Sequence, residues 1–109
     1  MAPVILQAKS YLLLLLHEHT TYSQAKCLLG TANNIQLSAI AEIFRNISSL
    51  PTTGKPKLQR TLKRNSALIH LLSKNTISST RRLNAIRQHL QVVLRLIHLI
   101  KEEIIHTLS

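Results

Sequence analysis

Residues 79–109, STRRLNAIRQHLQVVLRLIHLIKEEIIHTLS, decide the fold class of this chain. Leu83, Ile86, Leu90, Val93, Ile97, Ile100 and Ile104 succeed one another at alternating steps of three and four, the repeat of a helix packing along one seam. Ser79 or Thr80 can cap its start, and neither Gly nor Pro occurs between there and Ser109, so about eight turns of continuous helix are predicted. Val92, Leu94, Leu96, Leu99 and Ile105 widen the apolar stripe until only an arc through Asn84, Gln88, Gln91, Arg95 and Glu102 suits water. A helix apolar on so many sides must be covered on most of them. The stripe is broader than a coiled-coil seam, which favours the central core helix of a small bundle. The alternative is an oligomerisation seam through Leu90, Ile97, Ile100 and Ile104, with residues 97–108 protruding as an exposed apolar strip.

Immediately before this segment lies a basic helix, predicted from about Lys57 to Ser73 and separated from the last by the polar turn Lys74–Ser78. Leu58, Leu62, Ile69 and Leu72 form its apolar stripe. At 100° per residue, Lys57, Arg60, Lys63 and Arg64 gather on the other side, so one helix offers a core face and a cationic face. Lys55 and Lys74 extend that face at its ends, and Arg81, Arg82 and Arg87 come after the turn. In an antiparallel pair Lys74 joins the two groups of charges.

The remaining segments complete an all-α chain. Residues 4–17 form a first helix; Thr21 and Gln24 stand in capping-box spacing before a short second helix that carries Ala25, Leu28 and Leu29 and ends near Gly30. Asn33 and Asn34 cap a third helix with Leu37, Ile40, Ile43, Phe44, Ile47 and Leu50 on one face, terminated by Pro51. No run of β-branched residues alternates with polar ones, so no strand is predicted. At 109 residues the chain suits a single domain, residues 1–109, of four or five helices. Its core is expected to hold Ile40, Phe44, Ile47, Leu62, Ile69, Leu90, Val93 and Ile97.

Charge is the strongest compositional signal. Fourteen Lys and Arg stand against four Glu and no Asp, a formal net charge of +10, and no acidic residue occurs between Glu42 and Glu102. Self-repulsion of that size is costly unless an anion neutralises it, and nucleic acid, an acidic membrane surface or an acidic protein are the partners to weigh. Nine bases over residues 55–87 without one acid exceed what solubility requires.

Several functions lack material. The longest apolar run, Tyr11–Leu16, is far short of the ~20 residues a membrane span needs, so no transmembrane segment is predicted. Lys9 within that region and His17-Glu18-His19 after it do not suit a secretory signal. Paired acids or a triad are hard to assemble from Glu18, Glu42, Glu102 and Glu103, so the chain is read as non-enzymatic with no cofactor. The histidines are scattered, and His17 and His19, two apart on a helix, would point to opposite sides, so no metal site is predicted. Cys27, the only cysteine, excludes an intramolecular disulfide and is expected to be a buried, inert thiol. Tyr11, Tyr22 and Phe44 are the only aromatics beside the histidines, which argues against base stacking.

The run from Ala25 to Leu83, AKCLLGTANNIQLSAIAEIFRNISSLPTTGKPKLQRTLKRNSALIHLLSKNTISSTRRL, resembles small basic proteins of adintoviruses and polinton-type elements, called protein X by likeness to the adenovirus core protein. The likeness lies in four ordered features within about Tyr11–Leu83: LL and a short polar turn, an amphipathic helix QLSAIAEIFRNI, the loop LPTTGKPKLQRTLKR, and LIHLLSK with serines and bases after it. The resemblance implies a virion-associated factor that binds or condenses double-stranded DNA, located in the virion or host nucleus. It also implies Lys55, Lys57, Arg60, Lys63, Arg64, Lys74, Arg81 and Arg82 as DNA-facing bases. Where the relatives carry a nearly unbroken basic block this chain has ISSTRRLNAI, and where they end in a Gly-rich tail it has the heptad helix. Both departures shift weight toward a folded, assembling particle component, with homo-oligomer or capsid-protein contacts through the last helix as the alternative to duplex binding.

Overall fold

A computed structural model describes residues 3–109 of the chain. Among these residues all regular secondary structure is helical: α1 (Val4–Gln7), α2 (Lys9–Leu16), α3 (Tyr22–Gly30), α4 (Asn34–Ser48), α5 (Pro56–Arg64), α6 (Ser66–Ser73), α7 (Ser79–Gln88), α8 (Leu90–Leu99) and α9 (Lys101–Leu108).

The helix with the most packing is α4, and not the C-terminal segment. Its start is set locally: Asn33 Oδ1 accepts from the Gln36 amide at 2.9 Å and Gln36 Oε1 accepts from the Asn33 amide at 2.9 Å, a reciprocal capping box. Beyond that cap Leu37, Ile40, Ile43, Phe44 and Ile47 are buried, as are Ala39 and Ala41 on its flanks. The small alanines let neighbours close in on more than one side, and α1, α6 and α7 all pack against this helix. Ser48 ends it, its hydroxyl donating back to the Phe44 carbonyl at 3.1 Å, before Pro51 could clash with the turn.

Four or five long helices become nine shorter ones among the described residues because three predicted helices bend. The breaks fall at Ala8, Asn65, His89 and Ile100, whose backbones lie at φ −100°, −106°, −135° and −112° with ψ between 17° and 36°. That is the sparsely populated bridge region. Each carbonyl still starts the next helix: Leu12, Ile69, Val93 and Ile104 amides donate to Ala8, Asn65, His89 and Ile100 at 2.9–3.1 Å. The bends keep the helical thread but turn its axis. A straight helix over residues 79–109 would run about 46 Å, whereas the longest extent of the fold is 35 Å. Bending at His89 and Ile100 turns inward the residues that a straight helix would leave protruding. Ile97, Ile100, Ile104 and Leu108 are all buried in one cluster with the α4 core. Of the expected core, Ile40, Phe44, Ile47, Ile69, Val93 and Ile97 are buried, while Leu62 and Leu90 are half-buried against it.

Helix α3 begins at the capping box read from Thr21 and Gln24, with reciprocal bonds of 3.1 and 2.9 Å, and packs on α7 and α8. Cys27 on this helix is exposed, contrary to the buried thiol expected, because Ala25 and Leu29 take the inward face. The start of α7 differs by one residue from expectation: Ser78, and not Ser79 or Thr80, accepts the cap bond, from the Arg81 amide at 3.1 Å. Tyr11 on α2 donates to the Leu28 carbonyl at 2.8 Å, supplying one of the last α3 carbonyls with a partner.

Burial pushes the Tyr11 phenol well above its ordinary value of about 10. The folded chain needs the neutral phenol, so this contribution is fully present below about pH 10 and is lost above it, by up to about 1.4 kcal/mol per pH unit. Tyr11→Phe should cost about 1 kcal/mol at neutral pH through the lost hydrogen bond. It should also flatten the alkaline fall in melting temperature, and parallel alkaline falls in both proteins would contradict this role.

Candidate nucleic-acid interface

The basic helix α5 is positioned by a turn and a kink. The Lys55 amide donates to the Thr52 carbonyl at 3.0 Å across Gly54, whose φ of 78° lies in the left-handed region that a side chain would strain. Pro56 then opens the helix with φ already suited to it. At the far end Asn65 Nδ2 donates to the Thr61 carbonyl at 2.9 Å and the chain turns into α6. Between these limits α5 has no buried residue. Leu58 and Leu62 are half-buried, and Lys57, Arg60, Lys63 and Arg64 on the other side are exposed, as is Lys55 just before. Among the described residues, none of these five cationic side chains makes a hydrogen bond or an ion pair. Glu103 lines one cleft with Lys55, Lys57 and Leu58, so a carboxylate stands near the N-terminal end of α5.

Lys74 and Arg81 are exposed at the other end of α6. Helix α6, about 12 Å long, lies between the α5 cations and this pair in the chain. The bases therefore form two groups, with the larger on α5.

Arg82 does not belong to either group. Only 6 % of it is exposed, and its guanidinium is turned inward, Nε donating to the Leu72 carbonyl at 3.2 Å and Nη2 to the Lys74 carbonyl. Arg45 completes the arrangement, Nη1 donating to the Ser73 carbonyl at 3.1 Å and to Asn75 Oδ1 at 2.7 Å. Two arginines thus hold the carbonyls that α6 leaves unpaired at its C-terminus, where the helix dipole favours positive charge. Burial, then the neighbouring Arg45 charge, pull Arg82 below the ordinary arginine range. Arg87 has the same use on α3: Nε donates to the Gly30 carbonyl at 2.8 Å, on the side of α7 that faces α3. The reason is shared: with no Asp and four Glu in the chain, arginine heads find carbonyl oxygens in place of carboxylates. Asn75 follows the C-cap Lys74 but does not take the left-handed conformation that would close the end of α6 locally, so its last carbonyls are left to side chains. Arg82→Gln should lower stability by about 2–3 kcal/mol through unmet carbonyls, while the adjacent, exposed Arg81→Gln should stay within about 0.5 kcal/mol. Equal melting temperatures for the two variants would overturn the distinction.

The proposed oligomerisation residues are likewise placed inside. Ile97, Ile100 and Ile104 are at most 3 % exposed and Leu90 is half-buried, so the apolar strip expected at residues 97–108 is covered by the chain itself. His17 and His19 lie beyond the end of α2, and their rings are 5.3 Å apart, closer than helical spacing would allow, with His19 Nε2 3.6 Å from Glu18. Among the described residues no group of three or more His, Cys, Asp or Glu could hold a metal ion. Among them also, no helix is long and apolar enough to cross a membrane.

No protein-family model matches the chain, and no curated protein or solved structure matches it.

Proposed function

We propose that the protein is a non-enzymatic, basic helical nucleoprotein that binds double-stranded DNA without sequence preference, in genome packaging or core organisation of a virus or mobile element. The observation that carries this reading is α5, a surface helix with no buried residue whose exposed bases have no partner among the described residues. Holding Lys57, Arg60, Lys63 and Arg64 together raises the free energy of the isolated protein, and a polyanion relieves it. The helix is about 13 Å long, and a duplex offers one charge per ~1.7 Å of axis, so each base on its outer face can reach a phosphate. Lys55 adds to this group, and Lys74 and Arg81 supply a second contact beyond α6 in the chain. Arg82 is withdrawn from the interface and Arg87 is engaged on α3. The likeness to the protein X group supports the same ligand and a virion or nuclear location.

Engaging five to seven phosphates gives a log–log salt slope of roughly −4 to −6, so affinity for a random-sequence duplex should fall about a thousandfold between 50 and 200 mM salt. A duplex of different sequence should give the same line. A flat response to salt, or a strong preference for one sequence, would sink the reading. The alternative, assembly through the last helix, would need a surface other than Ile97, Ile100 and Ile104, which pack inside the chain.

A further inference from the structure

A second cationic surface lies between α3 and α8 and shares no residue with α5. There a cleft of about 390 Å³ opens, floored by the buried Ala25 and Leu94 and rimmed by Tyr22, Gln91, Arg95 and His98. Its size falls in the usual range of small-ligand clefts, roughly 300–1,000 Å³. Tyr22 is 48 % exposed, whereas Tyr11 and Phe44 are buried, so the chain turns one of its three aromatic rings outward at this cleft. The ring already accepts a cation: Lys26 Nζ stands 4.6 Å from its centroid. No acidic residue lines the cleft. Arg45, Arg82 and Arg87 are held by carbonyl oxygens, but among the described residues the exposed Arg95 side chain has no hydrogen bond or ion pair. The capping box at Thr21 and Gln24 already occupies the Gln24 amide, so anion recognition falls to the side chains and not to the helix end.

A half-exposed tyrosine ring beside the Arg95 guanidinium, with an amide and an imidazole at the rim and no carboxylate, matches the chemistry of an unpaired nucleotide. We propose that this cleft binds one unpaired nucleotide of a nucleic acid: the base stacks on Tyr22, Arg95 takes the phosphate, and Gln91 and His98 meet the polar edge of the base or sugar. Lys26 covers one face of the Tyr22 ring, and the base takes the other. Bases inside a duplex have both faces covered by their neighbours, so the cleft discriminates against duplex. It therefore acts separately from α5 and recognises ends, gaps or single strands.

The composition supplies the test. The chain has two tyrosines and no tryptophan, so Tyr11→Phe leaves Tyr22 as the sole tyrosine. Its emission should be quenched saturably by a five-residue oligothymidylate and not by a random-sequence duplex at equal phosphate concentration. The wild-type chain should give the same curve at lower amplitude, which guards against a fold defect in the variant. Arg95→Gln should weaken the single strand about fivefold at 100 mM salt. Tyr22→Leu should weaken it about tenfold by anisotropy of a labelled strand, with Tyr22→Phe restoring it. Thymidine monophosphate quenching in the same concentration range would identify a free nucleotide as sufficient, and quenching by the oligomer alone would identify a strand. Joint replacement of Lys57, Arg60 and Arg64 by Gln should leave the quenching in place, which separates this site from the duplex surface. Unchanged Tyr22 emission with the single strand, equal quenching by duplex, or an unaltered affinity of Tyr22→Leu would each overturn the proposal.

Discussion

Ile97→Asp is expected to remove most or all of the folding stability of this chain. Ile97 has no exposed surface and lies in the apolar cluster of the core near the end of α8. A carboxylate there loses the packing of an isoleucine and has no cation or hydrogen-bond donor to meet it, a change that costs more than about 4 kcal/mol. Small domains hold about 5–15 kcal/mol in total, so the variant should be unfolded or melt far below wild type. Phe44→Ala, at the centre of α4, should cost about 3–5 kcal/mol by leaving a cavity. Leu90→Asp is a graded control: Leu90 is half-buried, and its carboxylate can reach water. Circular-dichroism melts of the three, with sedimentation in parallel, distinguish a core from a seam. If Ile97 lay on an oligomer interface, the Asp variant would keep its melting temperature and change only its sedimentation.

Local chemistry determines what is legible in the residues alone. The two capping boxes, Thr21 with Gln24 and Asn33 with Gln36, close within four residues, so their spacing locates the starts of α3 and α4. The apolar stripe of α4 is likewise local, and its central residues are the buried ones. The bends at Ala8, Asn65, His89 and Ile100 are not local. No Gly or Pro marks them, and those at His89 and Ile100 fit a segment that would run about 46 Å as a straight helix into a fold 35 Å in its longest extent. The choice of centre is hidden too: the apolar residues of 79–109 outnumber those of α4, but α4 has Ala39 and Ala41 where neighbours close in.

The cationic surface is legible to a similar degree. On α5 the angular separation of bases from leucines predicts exposure of all four, and all four are exposed. Arg81 and Arg82 are chemically identical neighbours, yet one faces water and the other holds the end of α6, a difference set by a helix terminus ten residues earlier in the chain. Nothing in the residues around Tyr22 sets it apart from the other two aromatics, and only its place at the α3–α8 cleft distinguishes it from Tyr11 and Phe44.

The largest effect expected on binding comes from Lys57, Arg60 and Arg64 changed together to Gln. Each is exposed and unpartnered among the described residues, so the variant should melt within about 2–3 °C of wild type. Three lost phosphate contacts should lower duplex affinity on the order of several hundredfold at 100 mM salt. The most direct measurement is a salt series with wild type and this variant titrated side by side onto one random-sequence duplex. Two straight log–log lines are expected, with slopes that differ by about three and nearly equal melting temperatures. Coincident lines, or a wild-type line that does not respond to salt, would contradict duplex binding through α5.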